Sequence, residues 1–165
     1  MDRLNQHLLG LARRYTDCAR ELLRENLSSV VLFGSVARGE ARGDSDIDLL
    51  VVARDLPKGA FNRQQLLAPV RDRLLPDLEA LWEQGMYIDF GEVIKTETAA
   101  QHFHLLYLDL TEEGVLLYDR NGFFAGVLEA VRQRLSELGA RRRRLGQIVY
   151  WDLKPDLKPG EKLQL

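Results

Sequence analysis

The chain reads as a single α/β domain. Helix-like and strand-like stretches alternate from end to end, no linker separates them, and two short apolar runs flank a turn of small residues. Its 165 residues are the length of one domain, able to bury roughly 70% of the unfolded surface.

The elements follow in order. Leu4, Leu8, Leu11, Tyr15, Cys18 and Leu22 step by fours and threes, the apolar stripe of an opening helix that ends near Asn26. Residues 28–33 are apolar and β-branched, a buried strand running into Gly34-Ser35. Residues 46–53 read as its neighbour, with Ile47, Leu49 and Val51 on the face opposite Asp46 and Asp48. Arg38-Gly39, the stretch 42–45 and a mobile Lys58-Gly59 after Pro57 are loop punctuation. From Phe61 to Gln84 the pattern is helical, with Leu66, Leu67, Val70, Leu74, Leu75, Leu78, Leu81 and Trp82 on the buried face. Pro69 and Pro76 are expected to kink or divide it, and Gly85 suits the position just past its end. A third strand is expected from Met86 to about Ile94, then a short helix near 96–109, a strand over 115–118 and a turn at 119–122. A long amphipathic helix from about 123 to 138 closes at Gly139, and Gln147–Trp151 is strand-like before Pro155 and Pro159-Gly160.

Composition narrows the function classes. Apolar content of 45% and charged content of 29% belong to a soluble globular protein, and a net charge of −2 exerts no global pull toward nucleic acid. The single Cys18 excludes an internal disulfide and suits a reducing cytoplasm. No apolar run approaches the length of a membrane span, and the N-terminus lacks a secretory h-region. His7, His102 and His104 with Cys18 do not make a zinc cluster of the usual kinds, so a metal here would sit on oxygen.

The chemistry concentrates in one stretch. Side chains two apart on a strand share a face, so Asp46 and Asp48 can converge on one cation. The Gly34-Ser35 turn leaves backbone N–H groups free for an anion, next to a short helical segment. A phosphate cradle beside two hard oxygen ligands is the equipment for handling a nucleoside triphosphate with magnesium. A further acid is usual in such sites, and Asp89, alone among apolar neighbours, is the candidate; Glu92 on the other face of that strand is its competitor.

Gly34-Ser35, ten residues, then Asp46-Ile47-Asp48, with a later acid in an apolar strand, resembles the DNA polymerase β-like nucleotidyltransferase superfamily. Within it, Gly-Ser-Val-Ala-Arg-Gly followed by Asp-Ser-Asp-Ile-Asp-Leu is most similar to the minimal nucleotidyltransferase branch. The resemblance implies a small mixed sheet flanked by helices, with a core over about 26–95; residues from about 96 to 165 lie beyond the resemblance and read as extra C-terminal α/β elements of the same domain. It implies Mg2+, with Mn2+ as a substitute, and a nucleoside triphosphate donor, taken as ATP. It implies transfer of AMP to an acceptor hydroxyl, and by family analogy an antitoxin-like protein adenylyltransferase with a HEPN-type or other helical partner. Gly34, Ser35, Arg38 and Ser45 are then the nucleotide-binding candidates, and Asp46, Asp48 and Asp89 the catalytic and metal-ligating ones.

Blander readings stand beside these. The fold could serve as an inactive nucleotide-binding or protein-interaction module. Asp89 could be a buried partner of an arginine, and Arg38 and Arg42 could contact phosphate or face water. Arg141–Arg144, the one charge run, could bind RNA or an acidic partner but reads as a solvated helix end; Tyr150-Trp151 reads as core or a dimer contact, and His102 and His104 as structural.

Overall fold

The computed structural model describes residues 3–146 and 148–164. Its middle layer is a four-stranded mixed sheet built from β1 (Leu27–Phe33), β2 (Ile47–Ala53), β3 (Phe90–Thr96) and β4 (Val115–Asp119), in the order β3-β2-β1-β4. β1 is antiparallel to β2 and β4, whereas β2 and β3 run parallel and are joined through α3 (Ala60–Trp82). A parallel pair needs a long crossover, because only antiparallel neighbours can be linked by a tight turn.

Side chains alternate across the sheet, and each face finds its own helices. Leu27, Val30, Leu32, Ile47, Leu49 and Val51 bury against α1 (Arg3–Leu23) and α3. Val31, Leu50 and Val52 face Tyr107 and Leu110 of α5 (Leu106–Glu113) and Phe124 and Leu128 of α6 (Phe123–Glu137). The expected class, a small mixed sheet flanked by helices, is the observed one. The C-terminal part is integral to it, since β4 extends the sheet beside β1 and α6 covers one face.

Four local expectations are corrected. First, α3 runs unbroken from Ala60 to Trp82 with Pro69 and Pro76 inside it. Leu67, Val70, Leu74, Leu78 and Leu81 pack it onto the core, and ion pairs Arg14–Asp77 (2.6 Å) and Arg73–Glu21 (2.5 Å) tie it to α1, so tertiary packing outweighs the missing N–H groups. Leu75 and Trp82 fall off this stripe and are more than a third exposed. Gly85 ends the helix as expected, at φ +78°, with Met86 N–H donating to Leu81 (3.0 Å) and Gly85 N–H to Trp82 (2.9 Å).

Second, β3 begins at Phe90 rather than at Met86. Its neighbour β2 starts at Ile47, whose N–H donates to the Asp89 carbonyl at 2.8 Å; residues 86–89 have no strand beside them. Third, the stretch 96–109 is two helices, α4 (Glu97–Ala100) and α5. Thr96 caps α4 through Ala99 N–H, and the Tyr107 hydroxyl donates to Ala100 O at 2.9 Å, folding the chain back between them. His102 and His104 lie in that connection and make local backbone hydrogen bonds. Fourth, Arg141–Leu145 is not a helix end but a strand, β5, paired antiparallel with β6 (Ile148–Asp152) as a separate two-stranded sheet. Gly139 (φ +67°) stops α6, and Ala140 N–H closes the cap on Leu135 O at 2.9 Å, so the arginines lie past the helix and are drafted as the ladder partner of the apolar strand. Gln147, at the start of the expected tail strand, lies outside the described residues.

Candidate active site

β1 delivers the chain to Gly34, whose φ of +72° is the left-handed region that favours glycine. The five-residue helix α2 (Gly34–Arg38) follows and stops at Gly39 (φ +77°), with Glu40 N–H donating to Ser35 O at 2.9 Å and Gly39 N–H to Val36 O at 3.2 Å. Asn5 of α1 fastens this turn from below. Its side chain is fully buried, donates to Val36 O (3.2 Å) and accepts from Ala41 N–H (3.1 Å). A buried amide satisfied on both atoms fixes the loop that leads to Asp46.

Asp46 and Asp48 project from the start of β2 on the face that carries Leu50 and Val52 farther along. Phe33 and Asp48 are partners across β1–β2, and Asp48 and Gly91 are partners across β2–β3. The Asp48 carboxylate is therefore flanked by two glycines. A Cβ on Gly34 would overlap its Oδ2, and one on Gly91 would stand 2.7 Å from Oδ1 and 3.9 Å from the Asp46 Cβ. Burial, then the neighbouring Asp46 charge, push the Asp48 carboxyl above its ordinary value, against the pull of Arg38. Two hard carboxylates on one face, held in space that two side chains would otherwise fill, suit Mg2+. Gly91→Ala tests that space: the protein should fold, because only the end of the Asp48 side chain must yield. The displaced carboxylate should lower kcat by about tenfold or more in steady-state assays.

Asp89 sits just before β3, at the strand position level with Asp46. It is exposed, and its Oδ1 accepts from Phe90 N–H at 2.7 Å. Its exposure corrects the reading of it as a buried partner of an arginine, and its place ahead of Phe90 corrects the strand it was expected to lie in. Among the described residues no three His, Cys, Asp or Glu side chains gather as a ready-made metal cluster. Glu92 points to the opposite face. Its carboxylate is nearly closed off from water, accepts from the Tyr15 hydroxyl and pairs with Arg71, so it fastens α1 and α3 to the sheet rather than being solvated at a strand end.

Arg38 leans over the site from α2 but is shared by two carboxylates, Glu40 (2.9 Å) and Glu113 (3.1 Å). Glu113 also receives Arg142 from β5; burial alone would raise its carboxyl, but the Arg142 and Arg38 hydrogen bonds outweigh that and hold it below the usual range. Ser45 turns inward on its own loop, its Oγ accepting from Arg42 N–H at 2.9 Å. Sequence reasoning did not single out Asn5, Gly91 or Glu113. Asn5 alone left a signal, as a polar residue on the apolar stripe shared with Leu8 and Tyr15.

A family model described as "Nucleotidyltransferase domain" matches residues 14–108. The chain is 33% identical over 108 residues to "Putative protein adenylyltransferase MJ1305" of Methanocaldococcus jannaschii, covering 66% of this chain and 69% of that protein. It is 42% identical over 50 residues to "Putative protein adenylyltransferase MJ0141" of the same organism, 30% of this chain and 50% of that protein. Among solved structures it is similar to a "putative nucleotidyltransferase" from Sulfolobus solfataricus at 23% identity, covering 70% of this chain and 84% of that one with a TM-score of 0.45. A Shewanella oneidensis complex of a tri-AMPylated HEPN toxin with an MNT antitoxin matches at 15% identity, covering 80% of this chain and 92% of the matched chain, with a TM-score of 0.46.

Proposed function

The chain belongs to the nucleotidyltransferase domain family, and from that premise we propose that it transfers AMP from ATP to a hydroxyl of a protein acceptor at the β2–β3 end of its sheet. The observation that carries the assignment of the site is the Asp46–Asp48 pair set between Gly34 and Gly91. Asp46 and Asp48 would hold Mg2+, or Mn2+ in its place, which would stabilise the charge that builds on the phosphate oxygens. Gly34 and Ser35 present the first N–H groups of α2 to the triphosphate, since a helix start leaves these donors without partners. Arg38 reaches the same phosphates only by loosening from Glu40 and Glu113. Ser45 contributes by holding the loop ahead of Asp46.

In the transfer step the acceptor oxygen forms a bond to the α-phosphorus, the bond from that phosphorus to the bridging oxygen breaks, and pyrophosphate leaves. The acceptor's proton passes to Asp89, which is exposed and whose Oδ1 is already committed to Phe90 N–H. The similarity to relatives named as protein adenylyltransferases supports a protein acceptor; a HEPN-type helical partner belongs to the same proposal. Among the described residues no helix is long and apolar enough to cross a membrane, and a cytoplasmic setting completes the reading.

The test is label transfer from α-phosphate-labelled ATP to candidate proteins, with Mg2+ or with EDTA. Metal-dependent labelling with release of pyrophosphate is expected, weaker with the other three triphosphates. Metal-dependent ATP binding with no label on any acceptor would instead make the chain a binding module of this fold.

A further inference from the structure

The β5–β6 hairpin carries an exposed face that the candidate active site does not use. Register sorts its side chains into two faces: Arg141, Arg143, Leu145, Ile148, Tyr150 and Asp152 on one, Arg142, Arg144, Val149 and Trp151 on the other. At the base of the hairpin the second face turns toward the body, because Arg142 pairs with Glu113 and Trp151 is half-buried, its indole N–H enclosed without an acceptor among the described residues, while Val149 nearer the tip is 48% exposed. The first face is open. Leu145 is 71% exposed, Ile148 66% and Tyr150 45%, contiguous apolar surface on a two-stranded ribbon that has little stability of its own. Arg143 is matched by Asp152 at 3.0 Å, whereas Arg141 has no carboxylate partner among the described residues. The face thus combines apolar anchors with unbalanced positive charge. Its tether, Glu113, is the carboxylate that also holds Arg38, whose charge acts on Asp48.

We propose that this outward face docks the protein acceptor, selecting a segment in which acidic and apolar side chains surround the hydroxyl to be modified. The proposal rests on the reading of the chain as a protein adenylyltransferase. Arginine and tyrosine around a small apolar centre are what protein interfaces favour. Leu145 and Ile148 at the tip are aliphatic and offer nothing to a nucleotide base, and Tyr150 is a single ring on this face rather than a stacking platform. Docking there places the acceptor beside the end of the sheet that carries Asp46 and Asp48, through a single shared carboxylate.

The experiment uses the full chain, a glutamate–tyrosine copolymer as acceptor probe and a lysine–tyrosine copolymer as its counterpart. Two readouts apply: label transfer, and fluorescence anisotropy of the tagged copolymer, which needs no catalysis. Arg141→Ser with Arg143→Ser, and separately Leu145→Ser with Ile148→Ser, should raise KM and the anisotropy Kd for the acidic copolymer about tenfold at low salt, with kcat within about twofold. Pyrophosphate release without acceptor should be unchanged, and Arg141→Lys with Arg143→Lys should bind as the wild type does. Equal affinities in wild type and both serine variants would overturn the proposal. So would tighter binding of polyuridylate RNA that the arginine changes abolish, or a wild-type dimer that Leu145→Ser with Ile148→Ser dissolves while transfer continues. If the wild type binds the acidic copolymer through this face yet labels nothing, the docking surface stands and the transfer reading falls.

Discussion

Replacing both Asp46 and Asp48 by asparagine is expected to lower nucleotidyl transfer by about a thousandfold or more. Forfeiting about 4 kcal/mol of charge stabilisation in the transition state accounts for that factor. The fold should not suffer. Asp48 is half-buried beside a like charge, and its carboxyl is raised by burial first and by Asp46 second. An acid whose folded value lies above its unfolded one binds more protons when folded, so its ionisation subtracts stability as pH rises from the ordinary carboxylate range through the raised value. Asparagine removes that loss, and in EDTA at neutral pH the double variant should melt at the wild-type temperature or a few degrees above it. Thermal unfolding followed by circular dichroism reads the second half of the expectation, and labelled ATP reads the first. A variant that turns over normally, or one that is inactive because it is unfolded, would refute the role given to the pair.

Arg71→Met should be the most damaging change to stability that leaves the carboxylate pair untouched. Glu92 is 3% exposed at its side chain and has two partners, the Tyr15 hydroxyl and the Arg71 guanidinium. Burial raises its carboxyl, while Tyr15 and Arg71 pull it back. Without Arg71 the ionised form is left in the core with one hydrogen bond, a loss of about 3 kcal/mol when one partner of a buried pair is removed. The folded value then rises further, so the penalty grows with pH above the ordinary carboxylate range and shrinks below it, where Glu92 is neutral. Urea unfolding at about pH 5 and about pH 8 should show the larger loss at the higher pH, and adding Glu92→Gln should recover part of it. The same loss at both pH values would mean that the arginine acts through packing of its stem alone.

These two sites mark where the sequence was legible. The glycine turn and the two acids of β2 belong to neighbouring antiparallel strands close in the chain, so strand alternation alone placed Asp46 and Asp48 on one face and Ile47, Leu49 and Val51 on the other. The same alternation set Glu92 on the face of Phe90, and both lie against Tyr15. It could not say where β3 starts, because that is set by where its partner β2 starts. Nor could it show that Glu92 is sheltered, since Tyr15 and Arg71 approach it from distant helices. Four consecutive arginines carry no strand signal of their own. Only their pairing with Ile148–Asp152 makes them one, and that is a property of the partner. The prolines of α3 misled for a related reason, because the packing that overrides them lies on another helix.

The position of the acids relative to the strands has a consequence for how such a protein can diverge. Asp46 and Asp89 lie one residue ahead of β2 and β3, while Leu49–Val52 form the interior of the same strands. On the proposed reading, chemistry lies at the rim of the sheet and cohesion at its centre. The central positions accept any set of aliphatic residues that conserves volume and alternation. The rim must keep its glycines and carboxylates, while surface connections change freely. On that reading, selection can rework most of such a chain without touching the reaction.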